Sequence, residues 1–402
     1  MASQIKNQEM KYMEHFNMNI PTCALFGAGE LNNLHKQVLP GRKALLVISN
    51  GRSTRVNGAL ERVVEQLAKA GVEYVLFDRV EANPLVGTVM AGGTTAKEQG
   101  CDMIVALGGG SVIDAAKAIA VMATNDGYYW DYISSGTGMG KSLGNRPLPL
   151  IAIPTTVGTG SETDSACVVT NDTTHEKTGF GHPSLYPVLA VIDPELMTTV
   201  PAVFTAYQGF DALFHSIEGY VSNRANPMSD MYALTAIENI TRYLPQAVAD
   251  GNDIEARSRV AFGSYLSGVV MCVGGVTSQH SLEHAMSAYH QHLPHGAGLI
   301  LISRAYFSHM IETHACDGRF VQMARVMGMP KATFPKEFIT ALETLKQKCG
   351  VGELKMSDYG IQKEEASLFA TNARKTMGRL FTLDRIQLSD TDSENIYNES
   401  YR

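Results

Sequence analysis

The sequence predicts an α/β N-terminal domain built on a parallel sheet, followed by an all-helical C-terminal domain, and three observations carry that prediction. Short apolar runs alternate with helix-like segments through the first half, strand signals thin out after about Val200, and the later segments repeat apolar residues at three- and four-residue spacing. The chain has 402 residues, 45% of them hydrophobic, which suits two or three domains with sizeable cores.

Taken in order, KALLVISNG is an apolar run closed by turn residues and reads as a strand. VNGALERVVEQLAKAG has helical periodicity and a glycine stop, VEYVLFD is a second strand, and TVMAGGTTAKEQG is a weaker helix. CDMIVALGGG then leads into the helix SVIDAAKAIAVMA, and PLIAIPTT and PVLAVID fit further buried strands. Beyond them TAYQGFDALFHSIEGYVS, DMYALTAIENITRYLPQAVAD, ARSRVAFGSYLSGVVM, RFVQMARVMG and KEFITALETLKQKCG read as helices separated by Gly, Pro and Asn. The boundary falls in IDPELMTTVP, giving domains 1–197 and 198–402 with no repeat or low-complexity linker, and a cleft between them is the natural place for a site.

With 33 Lys+Arg against 40 Asp+Glu the net charge is −7. No basic run reaches five residues, so nucleic acid is not an expected partner. The N-terminal stretch MASQIKNQEMKYMEHFNMN is polar and lacks the apolar core of a signal peptide, and no stretch approaches the ~18 apolar residues of a membrane span. A cytoplasmic location with no membrane partner is therefore expected, and the six scattered cysteines read as reduced core residues.

Gly108-Gly109-Gly110-Ser111 follows a strand and opens a helix, so free backbone amides and a helix N-terminus meet at one point, which suits an anion. Ser111 is placed to act as N-cap, with Asp114 completing a capping-box-like arrangement; a plain helix cap is the alternative. A second loop, Pro154-Thr155-Thr156-Val157-Gly158-Thr159-Gly160-Ser161, also follows a strand. Two such loops suggest one extended phosphate-bearing ligand, although turn chemistry alone would also explain the second. Neither loop matches GxGxxG or GxxxxGK[ST].

Five of the twelve histidines lie between 280 and 295 in QHSLEHAMSAYHQHLPHG. His280 and His284 are four apart and share a helical face, His295 sits in a Pro-His-Gly turn, and Asp211 and His215 are also four apart. Asp211, His215, His280 and His295 make a one-carboxylate, three-imidazole set for a divalent transition metal with room for a substrate oxygen. His290 and His292 read rather as satisfied or surface residues, and Asp211 with His215 alone would also suit a cap or surface ion pair. A competing pattern, H-x-x-E-H over His280, Glu283 and His284, occurs in zinc metallopeptidases, with Glu283 as general base, but it leaves both glycine loops without a role.

Together GGGSVIDAAKAIA, IPTTVGTGSETD, DALFHSIEGY and HSLEHAMSAYHQHLPHG resemble the iron-containing alcohol dehydrogenase family, from about Pro21 to past residue 380. The resemblance implies metal ligation by Asp211, His215, His280 and His295, of Fe²⁺ or alternatively Zn²⁺, with the catalytic candidate His284 beside the nicotinamide. It implies cofactor contacts at Gly109, Gly110, Ser111 and Asp114, at Thr155, Thr156 and Thr159, at Lys177, along Leu196, Met197 and Val200, and at Asn83. A dinucleotide-binding N-terminal domain over 1–197, a metal-binding helical domain over 198–402 and a homodimer are implied as well. The spacing from His284 to His295 is one residue longer than in many members.

The first strand-turn bears on cofactor choice. Members using NAD tend to carry an Asp at this strand end for the ribose hydroxyl. Here Ser49, Asn50, Arg52 and Ser53 stand instead and could receive a 2′-phosphate, so NADP(H) is favoured, NAD(H) remains open, and Arg52 as a solvated side chain is the alternative. The expected chemistry is metal-assisted hydride transfer between nicotinamide and a short-chain primary alcohol or its aldehyde, with His284 relaying the proton. GVVMCVGGVTS supplies a mostly apolar wall and the histidine segment has no Arg or Lys. A glycerol-phosphate dehydrogenase or dehydroquinate synthase of the same wider superfamily should show more basic residues, and a metal-storage protein would lack saturable cofactor binding.

Overall fold

The structure is a computed structural model that describes residues 16–402. The N-terminal stretch up to residue 15, on which most of the signal-peptide reading rests, lies outside the described residues. Eight strands form: β1 (Cys23–Phe26), β2 (Lys43–Ser49), β3 (Glu73–Val80), β4 (Met103–Gly108), β5 (Leu150–Pro154), β6 (Ala166–Asn171), β7 (Glu176–Gly181) and β8 (Leu189–Ile192). Six of them make one all-parallel sheet in the order β1-β8-β5-β4-β2-β3, and β6 and β7 make a separate antiparallel pair.

Helices α1 (Ser53–Val56), α2 (Ala59–Lys69), α3 (Val86–Glu98) and α4 (Gly110–Met122) cover the sheet. Leu46, Val105 and Ile151 pack with Val63 and Leu67 of α2, whereas Leu45, Ile104 and Ala106 pack with Ile113, Ala116 and Ile119 of α4. Successive strand residues thus feed two cores, which is why these strands read as unbroken apolar runs rather than alternating ones. From β2 the chain runs outward to β3 and then returns to the other side of β2 to lay down β4, β5 and β8. The order reverses between β2 and β4, and the crevice at such a reversal opens at the strand carboxyl ends, here Ser49 and Gly108.

The helical region holds α5 (Ala202–Val221), α6 (Pro227–Ala249), α7 (Ile254–Gly274), α8 (Ser278–Tyr289), α9 (His295–Glu312), α10 (Asp317–Val326), α11 (Lys336–Lys348), α12 (Ala366–Phe381) and α13 (Asp390–Ser400). Its core stacks Phe214, Phe307, Phe320 and Phe338, each contributing roughly 1.5–3 kcal/mol by burial. α5 is buried along almost its whole length from Thr205 to Val221. Polar side chains on it must therefore find partners inside the protein, and that requirement builds the site. No single helix among the described residues is long and apolar enough to cross a membrane; α7 and α8 reach that composition only jointly, across a 109° bend.

Four expectations are corrected. β1 and the β6–β7 pair have no counterpart in the sequence reading, because β1 is a four-residue edge strand and β6 (ACVVTN) and β7 (EKTGFG) are six-residue strands that mix apolar and polar residues. The helix expected over VNGALERVVEQLAKAG begins later, as α2 at Ala59, because Gly58 before it takes a left-handed φ of 74°; the short α1 ends at Val56. Cys23 is exposed, not in the core. Ser111 is not an N-cap: Gly109 takes that position with no side-chain bond, and α4 starts at Gly110.

Candidate metal and dinucleotide site

α5 presents Asp211 and His215, α8 presents His280 and His284, and His295 opens α9. Asp211 Oδ1 lies 3.6 Å from His280 Nε2 and 3.5 Å from His295 Nε2. Both Asp211 Oδ1 and His280 Nε2 are buried without a hydrogen-bond partner. Leaving such atoms unpaired costs about 1–3 kcal/mol each. One carboxylate oxygen and two imidazole nitrogens, with ligand atoms all within 4.8 Å of one another, suit a divalent cation at their centre. The fourth expected ligand stands beside them: His215 stacks on His280 with ring centroids 4.3 Å apart and donates Nδ1–H to the Gly158 carbonyl at 3.1 Å. That bond leaves Nε2 as the unprotonated nitrogen.

Each of the two histidines whose Nε2 faces Asp211 Oδ1 is backed by a buried glutamate. Glu218 Oε1 lies 2.5 Å from His280 Nδ1, and Glu283 Oε2 hydrogen-bonds His295 Nδ1. Lys177 on β7 donates to Ser287 Oγ at 2.9 Å and lies 3.6 Å from Glu283 Oε2. Burial pushes His215 down to about 3. In His280 burial acts the same way, but the Glu218 and Asp211 carboxylates overcome it and push the ring up to about 10. Burial likewise opposes the charge on Asp211, yet His215, His295 and His280 hold it below the usual carboxylate range. His284 is held well below the usual imidazole range by burial and then by Lys177.

Glu283 is fully buried and engaged by His295 and Lys177, which removes it as the general base of an H-x-x-E-H peptidase. His284 Nδ1 faces Met377 Sδ at 2.7 Å, and its ring lies 5.2 Å from that of His295. His290 pairs with Glu365 at 3.0 Å and His292 is exposed, so both stand apart from Asp211 Oδ1 as expected.

The two glycine loops touch at the sheet's carboxyl edge. A Cβ on Gly109 would lie 2.7 Å from Thr156 Oγ1, and one on Gly110 would overlap Thr159 Cγ2. Ser111 Oγ accepts from the Asn83 amide at 3.3 Å; Asn83, at a left-handed φ of 55°, donates Nδ2–H to the Gln291 carbonyl at 3.2 Å and so links the sheet side to the helical side. Asp114 is turned inward: its carboxylate accepts from Ser161 Oγ at 2.6 Å and from the Val168 amide at 2.9 Å. Fully buried Lys117 donates to Ser161 Oγ, Asp164 Oδ1 and the Ala166 carbonyl at 2.7 to 2.8 Å. This cluster ties Asp114 to the second loop.

Thr155 is buried and its amide continues the sheet to the Gly108 carbonyl at 3.0 Å. Leu196 and Met197 are buried in the sheet and helical cores respectively, and the Val200 carbonyl accepts from Arg257 at 3.1 Å. Ser49 is half-buried, and Asn50 and Arg52 are exposed at the end of β2. Gly158 joins the two subsites: its φ is +121°, its carbonyl holds His215, and a Cβ there would lie 2.9 Å from Asp211 Oδ2.

Glu162, in the same loop, is buried and pushed up to about 7, with burial the leading cause. Its native carboxyl holds a proton more tightly than an unfolded glutamate at about 4.3, so the protonated acid favours folding. That contribution is complete below about pH 4.3 and is lost as pH rises to 7, on the order of 3 kcal/mol. Glu162→Gln is expected to raise Tm relative to wild type progressively more between pH 4.5 and 7.5. A Tm difference independent of pH would refute the assignment.

Sequence reasoning missed Glu218 and Lys117. Asp211, His215 and Glu218 stand at i, i+4 and i+7 of one helix, and that spacing was a usable signal for Glu218.

The family described as iron-containing alcohol dehydrogenase matches residues 21–194, and the Fe-containing alcohol dehydrogenase family, C-terminal, matches residues 205–401. The chain is 33% identical over 371 residues to the NAD-dependent methanol dehydrogenase of Bacillus methanolicus, covering 89% of this chain and 93% of that one. It is 32% identical to the 1,3-propanediol dehydrogenase of Klebsiella pneumoniae, covering 90% and 92%. Among solved structures, an archaeal halo-thermophilic alcohol dehydrogenase from a Red Sea brine pool superimposes with a TM-score of 0.91 at 31% identity, covering 97% of this chain and 99% of that one. The NADH-dependent butanol dehydrogenase A of Thermotoga maritima superimposes with a TM-score of 0.87 at 27% identity, covering 97% and 99%.

Proposed function

This chain belongs to the iron-containing alcohol dehydrogenase family, and on that premise we propose that it interconverts a short-chain primary alcohol and its aldehyde, using Fe²⁺ or alternatively Zn²⁺ together with a nicotinamide dinucleotide. The observation that carries the reading is the pair of buried, unpartnered atoms, Asp211 Oδ1 and His280 Nε2, set 3.6 Å apart under the second glycine loop. Asp211, His215, His280 and His295 would hold the ion. When bound, the ion would supply a Lewis acid for the substrate oxygen and the nicotinamide would give or take the hydride.

The chain's own residues do the rest. The Gly109–Ser111 and Thr155–Thr159 loops bind the cofactor phosphates with backbone amides and hydroxyls. Asn83 holds the two sides together through Gln291. His284, kept neutral by burial, is the residue that moves the proton. The mostly apolar segment GVVMCVGGVTS ahead of His280 favours an uncharged substrate, in keeping with relatives named for methanol, propanediol and butanol. Lys177, the basic residue beside the histidines, is already tied to Glu283 and Ser287, which disfavours the phosphate or carboxylate substrate of the superfamily alternatives. We also propose a cytoplasmic homodimer, which light scattering on the purified protein tests.

For the cofactor we favour NADP(H), since position 49 is Ser and exposed Arg52 lies close to it. Several relatives are named for NAD or NADH, which makes NAD(H) the alternative. The test follows nicotinamide absorbance with Fe²⁺-loaded protein and butyraldehyde, with NADPH and NADH in parallel and a metal-stripped control. Metal-dependent oxidation of NADPH well above NADH is expected, and Ser49→Asp is expected to shift the kcat/KM ratio toward NADH by about tenfold or more, the scale of one charge repulsion at a phosphate. Preference for NADH in the wild type discards the reading of the β2 turn; no turnover with either cofactor discards the activity.

A further inference from the structure

Behind His280 lies a string of buried polar groups that leads away from the cleft. Glu218, 2.5 Å from His280 Nδ1 through Oε1, accepts with Oε2 from the Thr277 amide and the Thr277 hydroxyl, both at 2.9 Å. Thr277 Oγ1 is 3.0 Å from the Tyr306 hydroxyl, which is 2.9 Å from Asp384 Oδ1 and 3.2 Å from Ser278 Oγ. Glu218, Thr277, Ser278 and Tyr306 have no solvent exposure, and Asp384 is 6% exposed.

The hydrogens in this string can be ordered. The Thr277 hydroxyl donates to Glu218 Oε2 and so accepts from the Tyr306 hydroxyl. Tyr306 then has no second hydrogen for Asp384, and the contact is satisfied when Asp384 itself is protonated. Burial pushes Asp384 up to about 7, and its Oδ2 has no partner, both in keeping with a neutral acid. Asp384 belongs to the segment after α12, which Asn223 fastens to the end of α5: its backbone amide donates to the Leu383 carbonyl at 2.9 Å and its Nδ2–H to the Thr382 carbonyl at 2.7 Å.

We propose that Glu218 is a positioning residue of the metal centre: held by Thr277, Tyr306 and Asp384, it fixes the proton of His280 on Nδ1 and aims the Nε2 lone pair at the ion. The segment following α12 is thereby coupled to metal binding although it contributes no ligand. This rests on the metal reading of Asp211, His280 and His295. Carboxylates that receive the second N–H of a ligating imidazole set its tautomer and basicity, and losing one typically weakens metal binding 10- to 100-fold.

The test is Co²⁺ titration of the purified full chain against a competing chelator, with the visible spectrum of the Co²⁺ form and circular dichroism recorded alongside. Glu218→Gln places an amide N–H₂ against the Thr277 donors and is expected to raise the Co²⁺ Kd about 10- to 100-fold and to shift the Co²⁺ bands. Tyr306→Phe keeps the ring packing, removes the hydroxyl, and is expected to raise Kd about threefold or more without loss of fold. Glu218→Asp should fall between Gln and wild type. If Glu218→Gln does not fold, Tyr306→Phe and Thr277→Val carry the measurement. Variants that bind Co²⁺ within twofold of wild type, with the same spectrum, overturn the inference. A wild type that binds no Co²⁺ instead overturns the metal reading, and this inference falls with it.

Discussion

Asp211→Asn is expected to lower kcat/KM by about three powers of ten, some 4 kcal/mol of transition-state stabilisation, while leaving the protein folded. Asn has the shape of Asp, so α5 and its packing survive. What changes is the charge on the one oxygen that both His280 Nε2 and His295 Nε2 face, at 3.6 and 3.5 Å. A neutral amide oxygen is a far weaker ligand for a divalent ion than a carboxylate, and the three surrounding imidazoles cannot compensate for the lost charge. The same carboxylate helps to hold His280 protonated before an ion arrives, so its loss also lowers the His280 pKa from about 10. Metal analysis should show less than one-tenth of an equivalent retained after dialysis. Wild type loaded at about 100 times its Kd should gain roughly 2.7 kcal/mol of stability that chelation removes, and the variant should gain almost none. Retention of a full equivalent with less than a tenfold loss of activity would rule out Asp211 as a ligand.

The parts of this site that were legible from sequence are those with strong local signals. β2, β4 and β5 are buried on both faces, so their apolar runs stand out without reference to anything distant. Asp211 and His215, and His280 and His284, announce themselves through helical spacing. The meeting of α5 with α8 and α9 is not local, and only the packing around α5 brings Asp211 Oδ1 to His280 and His295. Asp114 shows how distant partners stay hidden. The family resemblance implies a cofactor contact there, and no sequence pattern announces that Ser161 and Val168, 47 and 54 residues further on, bond both of its oxygens. Glu283 similarly read as a base because its neighbours in sequence are histidines, whereas its partners in space are His295 and Lys177. β1 and β6–β7 stayed hidden because a four-residue edge strand and two six-residue strands of mixed character, ACVVTN and EKTGFG, are too short to set up a clear period.

Gly110→Ala should raise the cofactor KM about tenfold or more with a much smaller change in kcat, and the reason lies in the contact between the loops. Gly110 needs no left-handed backbone, since it is the first residue of α4, so alanine would normally be welcome there. The obstacle is Thr159: the new Cβ would overlap its Cγ2 and stand 2.6 Å from its Oγ1. Overpacking of that kind costs about 1–3 kcal/mol, and here it is relieved by moving one loop away from the other. Separating them spoils phosphate binding, while Asp211 and the histidines stay on α5, α8 and α9. The second loop cannot simply retreat, because Gly160 already lies against α7, so closely that a Cβ on it would stand 2.5 Å from Gly268 Cα. Thr159→Ala alone should weaken cofactor binding modestly by losing a hydroxyl. Combined with Gly110→Ala it should restore part of the lost affinity, because the Cγ2 and Oγ1 contacts go while the Cβ of residue 159 still stands 2.8 Å from the new Cβ, giving a coupling of at least about 1 kcal/mol between two residues in contact. Strictly additive effects would mean that the loops do not meet when cofactor binds. The compensating pair would instead show that the glycines of the first loop are required as much by the threonines of the second as by any phosphate.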